Sequence, residues 1–101
     1  MLRIAREQFG DKLNLTLTGR LDRNTSEELE TKLKSSLDGV KELGFDFFNL
    51  DYISSAGLRV LLAAQKKMKG DGKIRIKGAK KEIRDIFDMT GFSNILSVEW
   101  L

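Results

Sequence analysis

Leu13, Leu15 and Leu17 alternate with Asn14, Thr16 and Thr18. Successive side chains of a strand point to opposite faces, so this period of two predicts a strand with one buried side. Gly19 is its predicted end. The opening segment, Leu2 to Glu7, is placed to pair with it across a turn at Phe9-Gly10-Asp11. The period then changes. Leu29, Leu33 and Leu37 recur every four residues, with Val40 following, which is one stripe of an amphipathic helix. Thr25-Ser26-Glu27-Glu28 at its start reads as a capping box, in which the hydroxyl satisfies a free backbone N–H and Glu28 reaches back. Asn24 with Glu27 offers the same pattern one residue earlier. Gly39 is the predicted stop.

Phe45, Phe47 and Phe48 form a short aromatic-rich run between Gly44 and Asp51, which predicts a buried strand. Gly44 has no side chain to pack and weakens it. Leu58, Val60, Leu61, Leu62, Ala63, Ala64 and Met68 then trace a wide apolar arc, as on a largely buried helix. Lys66, Lys67 and Lys69 load its last turn, where the helix dipole favours cations. Gly70-Asp71-Gly72 breaks the chain. Lys73-Ile74-Arg75-Ile76-Lys77 is an alternating strand with a basic outer face. Ile83, Ile86 and Phe87 space a third helix, stopped at Gly91, and Ile95 to Trp100 is available for a last strand.

The predicted order is ββαβαβα, with room for a terminal β. Strands alternating with helices imply an α/β fold: a mixed sheet whose parallel strands are joined by right-handed crossovers, with helices mainly on one face. The chain has 101 residues and contains no proline, linker, repeat or low-complexity tract, so residues 1–101 are expected to form one domain.

Composition narrows the function. The chain has no cysteine and no histidine, which removes disulfides, thiol nucleophiles, imidazole bases and Cys/His metal sites together. No dense Asp/Glu loop of the calcium type is present either. No cofactor is therefore expected. The first ten residues carry no long apolar run and no stretch approaches a membrane span, so a cytoplasmic protein that engages no membrane is expected. The net charge is +3, and the excess lies in the second half. The basic stretch from Lys66 to Lys81 alternates with apolar residues and lacks interleaved aromatics. It reads as a solvated face rather than a nucleic-acid surface.

The segment Asp51-Tyr52-Ile53-Ser54-Ser55-Ala56-Gly57-Leu58 carries the most information. It joins the buried strand to the buried helix, with two serines where the N-cap belongs. The first N–H groups of a helix lack internal partners, and the dipole makes that end positive. Gly57 permits close approach to the backbone. A phosphoryl group on an exposed Ser55 would sit there without melting the helix, adding about −1.5 to −2 charge. The same spacing is equally that of a plain serine cap and turn. No lysine follows the glycine as in a phosphate-cradling P-loop, and the Gly-x-Ser-x-Gly frame and base of a nucleophile elbow are missing.

Two stretches resemble the STAS family, and within it the single-domain anti-sigma factor antagonists. One is Leu17-Thr18-Gly19-Arg20-Leu21-Asp22-Arg23-Asn24-Thr25; the other runs from Asp51 through Leu58 to Leu62. The tail Ile86-Phe87-Asp88-Met89-Thr90-Gly91-Phe92 also fits, and the likeness extends from about Leu13 to Val98. The resemblance implies a sheet of four or five strands flanked by three or more helices. It further implies partner switching: the unmodified chain binds an anti-sigma factor that is also a serine kinase, releasing a sigma factor. Phosphorylation by that kinase ends the binding, and a phosphatase resets it. ATP would belong to the kinase, so the chain itself would be no enzyme.

Carried over by position, the phosphoacceptor is Ser55; Ser54 departs from the aspartate that antagonists often have there and is the second candidate. Asp22 matches an acid near the acceptor, with a kinase-facing role and a turn-forming role both open. Asn49 matches an asparagine near the strand's end, where a structural role suffices. The expected docking face comprises Asp22, Arg23, Asn24, Ser54, Ser55, Ala56, Gly57 and Leu58, on a chain expected to be monomeric. Two alternatives remain: a STAS subunit that binds a transporter or signalling complex permanently, and a small nucleotide-binding or enzymatic protein.

Overall fold

The computed structural model describes residues 1–68 and 74–101. The Gly70-Asp71-Gly72 break, Lys69 and Lys73 lie outside the described residues. Leu2–Phe9 (β1) and Lys12–Leu21 (β2) form an antiparallel hairpin, with Leu2 opposite Gly19 and Phe9 opposite Lys12. The chain continues through helix Ser26–Ser36 (α1), strand Glu42–Ile53 (β3), helix Ser55–Lys67 (α2), strand Ile74–Lys77 (β4) and helix Lys81–Met89 (α3). A 3₁₀ turn at Phe92–Asn94 precedes strand Val98–Trp100 (β5). The sheet order is β1-β2-β3-β4-β5, and β2 to β5 are parallel to one another.

Each parallel pair of neighbours is joined through one helix. Right-handed crossovers between neighbouring strands place all three helices on the same face. Burial follows this layout. Leu13, Leu15, Leu17, Leu43, Phe45, Phe47, Ile74 and Ile76 point into the core, where they meet Leu29, Leu33, Leu58, Leu61, Ile83 and Phe87 from the helices. Phe87 packs edge-on against Trp100 at 5.0 Å between ring centres, which fixes α3 to the far edge of the sheet.

The other face of the sheet is uncovered and carries cross-strand ion pairs. Lys12 meets Glu42 at 3.4 Å, Arg75 bridges Glu42 and Glu99 at 3.8 Å each, and Lys77 meets Asp46 at 4.0 Å. Lys80 pairs with Asp51 and Lys81 with Asp85. Arg75, Lys77, Lys80 and Lys81 from the basic stretch therefore each have an acidic neighbour. Exposed pairs of this kind add little stability. They do balance the charge of the face.

The structure corrects several details of the sequence reading. Gly19 does not end β2, which runs on to Leu21. Gly19 instead sits at φ 109°, a conformation open to glycine, and the Met1 carbonyl occupies the place a Cβ would take. The capping box of α1 is not formed: Thr25 occupies the N-cap position without a side-chain cap bond, because its hydroxyl is used by the preceding loop. The last strand is shorter than Ile95 to Trp100.

The aromatic strand differs most. β3 is 12 residues long, and its register against β2 slips twice, between Thr16 and Thr18 and between Gly19 and Arg20. Each slip gives β3 one extra residue, as in a β-bulge. Phe47, Leu50 and Ile53 point inward, while Phe48 with Asn49 and Asp51 with Tyr52 fall on the outer side in adjacent pairs. Phe48, expected in the core, is thus 68% exposed and lies over Gly78. The Asp46 carboxylate accepts the Phe48 N–H at 2.9 Å, which satisfies the amide at the first bulge.

Candidate functional site

β2 and β3 run parallel and end side by side, with Leu21 opposite Ile53. β2 leads into Asp22-Arg23-Asn24, and β3 leads into Ser54-Ser55. Both segments therefore emerge at the carboxyl ends of parallel strands, where open α/β sheets commonly place their sites. The Ser54 N–H donates to the Leu21 carbonyl at 2.9 Å and ties the two exits together.

The two serines differ in environment. Ser54 is the N-cap of α2, with extended backbone (φ −96°, ψ 170°), and its hydroxyl accepts the Gly57 N–H at 3.2 Å. This is the standard cap arrangement, which satisfies one of the open amides of a first turn. Ser54 is half-buried. Ser55 is the first helical residue, is exposed, and its hydroxyl makes no hydrogen bond among the described residues. The first turn of α2 contains no acidic side chain, so the positive helix end is not offset by its own residues.

Gly57 explains how the helix starts so close to the sheet. A Cβ there would lie 2.8 Å from Leu21 Cγ and 3.1 Å from Ile53 Cγ1. Any side chain would push α2 off the strand ends. Gly57 and Leu58, both expected on the docking face, are buried instead, and Leu58 has no exposed surface. They support the site from beneath. Ala56 is half-buried, whereas Arg23 and Asn24 are exposed.

The Asp22 loop is held by a compact hydrogen-bond cluster. The Asp22 carboxylate accepts the N–H groups of Asn24 at 3.0 Å and Thr25 at 2.9 Å. The Thr25 hydroxyl accepts the Asp22 N–H at 2.8 Å and donates to the Arg20 carbonyl at 2.7 Å. The Ser26 hydroxyl donates to the Arg23 carbonyl at 3.0 Å. This is an Asx-turn, the local alternative that Asp offers to helix or strand pairing. The Thr25 N–H is the main reason the Asp22 carboxyl sits below the usual carboxylate range; partial desolvation opposes it, and the Thr25 hydroxyl, the Asn24 N–H and the chain's amino terminus reinforce it. The turn-forming role of Asp22 is therefore present in the structure.

Two contacts made by cations border the site that residue spacing did not reveal. The Arg20 guanidinium lies 4.4 Å from the centre of the Tyr52 ring, a cation–π arrangement. Lys80, at the start of α3, pairs with Asp51, and this hydrogen bond and charge hold the Asp51 carboxyl below its ordinary value, with Arg20 adding a smaller pull. The second bulge places Arg20 opposite Tyr52. Asn49 is exposed on β3, and Thr90 caps the C-terminus of α3, its hydroxyl donating to the Ile86 carbonyl at 2.7 Å.

Among the described residues, no cluster of three or more acidic side chains is gathered to hold a metal ion, and no helix is long and apolar enough to cross a membrane. The site offers an exposed hydroxyl, a rigid acidic turn and a positive helix end. It has no imidazole or thiol to activate that hydroxyl.

Comparison with known proteins agrees with this layout. A family model described as "Mlab, STAS domain" matches residues 4–97. The chain is 31% identical over 99 residues to BtrV of Bordetella bronchiseptica, a protein provisionally named an anti-sigma factor antagonist, covering 96% of this chain and 85% of that one. The fold is similar to an anti-sigma factor antagonist from Mycobacterium paratuberculosis, with a TM-score of 0.83 at 18% identity over 97% of this chain and 85% of that one. It is also similar to the Bacillus cell-fate determinant SpoIIAA in its phosphorylated form, with a TM-score of 0.71 at 17% identity over 96% of this chain and 91% of that one. The match across residues 4–97, together with the BtrV likeness, establishes that the chain belongs to the STAS domain family.

Proposed function

We propose that this chain is an anti-sigma factor antagonist of the partner-switching kind. Unmodified, it binds an anti-sigma factor that is also a serine kinase, through the α2 N-terminus and the Asp22 loop. Phosphorylation of Ser55 ends the binding. The name of the BtrV relative supports the general role. The observation that carries the switch is the division of labour between the serines: Ser54 is engaged as the helix cap, while Ser55 is exposed beside the Asp22 loop with its hydroxyl available.

The mechanism is electrostatic exclusion. Transfer of the γ-phosphoryl group of ATP would break its bond to the β-phosphate, form an O–P bond at Ser55 and release ADP and the hydroxyl proton. The new group adds about −1.5 to −2 charge on the docking face. A partner that packed against a neutral hydroxyl must now desolvate a phosphate, and its own acids or nucleotide phosphates repel it. The fold persists because the modification lies outside the core and at a helix end that tolerates an anion.

The test is incubation with the cognate kinase and ATP, followed by mass measurement. The wild type is expected to gain one phosphoryl group, and Ser55→Ala none. An undiminished mass shift in Ser55→Ala would remove Ser55 from this role. A Ser55→Asp variant that binds the partner as tightly as the wild type would remove the exclusion mechanism.

A further inference from the structure

We propose that Arg59 is the residue that holds the phosphate once Ser55 is modified. The inference rests on Ser55 being the phosphoacceptor, and it assigns a role to a side chain that lies within the family-like segment but was given no role there and is not part of the expected docking face.

Ser55 and Arg59 stand four residues apart within α2 and are both exposed. Residues at i and i+4 are neighbours on a helix surface, with Cβ atoms about 5–6 Å apart. The Cα–Cβ bonds of a helix tilt toward its N-terminus, so a long side chain covers the turn before its own Cα. Arg59 is therefore placed to reach the turn that begins at Ser55. The order also matters: an anion four residues before a cation is the favourable arrangement, because both charges then agree with the helix dipole.

Arg59 forms no salt bridge among the described residues, and α2 contains no Asp or Glu from Ser55 to Lys67. Two other cations around the site are engaged, Lys80 with Asp51 and Arg20 over the Tyr52 ring; Arg23, exposed in the Asp22 loop, is not on α2 and lacks the four-residue helical spacing to Ser55. A planar guanidinium matches two oxygens of a phosphate monoester, which a point-charge ammonium does not. The pairing would fold the phosphate back along α2. One modification would thus change two adjacent surface groups, adding a dianion and withdrawing an exposed cation.

The test uses the full chain with phosphoserine installed at position 55 during translation, so no kinase is needed. Phosphorus NMR then follows the second ionisation of the phosphate against pH at low salt. A nearby cation favours the dianion, so Arg59→Ala is expected to raise the midpoint by about 0.2–0.4 pH unit. Arg59→Lys is expected to recover part of that change, and Lys66→Ala, far along the same helix, to leave the midpoint in place. Equal midpoints in the wild type and Arg59→Ala would overturn the proposal. So would an equal shift in Lys66→Ala, which would mean general field rather than pairing. Circular dichroism of each variant checks that the fold is retained. Failure of Ser55 as acceptor is read separately, in the kinase mass shift, and does not affect this titration.

Discussion

The backbone N–H of Ser54 donates to the carbonyl of Leu21 at 2.9 Å, and this one bond joins the exit of β3 to the exit of β2. It holds the start of α2 beside the Asp22 turn. The two segments that resemble antagonist motifs are 26 or more residues apart in sequence, from Thr25 to Asp51, yet form one surface.

The adjacent serines should separate cleanly in stability. Ser54→Ala removes a helix cap and is expected to cost about 1 kcal/mol. Ser55→Ala removes no hydrogen bond among the described residues and is expected to stay within about 0.5 kcal/mol of the wild type. Urea denaturation of both variants measures the difference. Equal losses would mean that the cap assignment is wrong.

Gly57→Ala should destabilise although alanine is the better helix former. The added methyl would stand 2.8 Å from Leu21 Cγ in a buried position. Overpacking of this kind costs about 1–3 kcal/mol, against a propensity gain of at most about 1 kcal/mol. Because the methyl lifts α2 from the strand ends, partner binding should weaken as well. A calorimetric titration with the partner, beside a denaturation curve, would read both effects.

Phe47 and Phe48 are neighbours with opposite fates. Phe47 is fully buried, and Phe47→Ala is expected to cost about 3–5 kcal/mol, a large share of the roughly 5–15 kcal/mol that holds a typical domain. Phe48 is mostly exposed, so Phe48→Ala should cost about 1 kcal/mol or less. Strict alternation from Phe45 already places Phe47 inward and Phe48 outward; taking Phe45, Phe47 and Phe48 together as one buried run overlooks it. The bulge decides the next pair, keeping Asn49 outward beside Phe48 and turning Leu50 inward, and a bulge depends on pairing with β2.

Acid should loosen the Asp22 turn. The Asp22 carboxyl is held below its ordinary value in the folded chain, chiefly by the Thr25 N–H. A depressed carboxyl stabilises the fold above its unfolded-state value, and that contribution is lost as pH falls through the folded-state value. Asp22→Ala is therefore expected to melt at a lower temperature than the wild type near neutral pH. The gap should shrink as the pH falls below the ordinary carboxylate range. A gap that stays constant into strong acid would contradict the charged Asx-turn.

Much of the architecture was legible because it rests on local periodicity. The Leu13-Leu15-Leu17 alternation, the Leu29-Leu33-Leu37 stripe and the wide arc after Leu58 each identify an element from which side chains must leave water. Their order then limits the sheet to parallel crossovers. The Ser54-Ser55 pair was legible as a helix start for the same reason. It could not tell which serine caps, since either hydroxyl suits the first turn by composition alone. The cap is chosen by where β3 ends, and that follows from the two bulges and the Ser54–Leu21 bond.

The sequence by itself therefore determined the elements, their order, the buried faces and the segment most suited to an anion, because these depend on side-chain type at short spacing. Tertiary structure alone decided that Thr25 serves the Asp22 loop rather than a capping box, that Leu58 lies beneath the site, and that Asn49 faces out while Leu50 faces in. It also decided that Arg20 meets Tyr52 and that Lys80 meets Asp51. Each of these depends on strand register or on contact between segments distant in the chain, which no local pattern encodes.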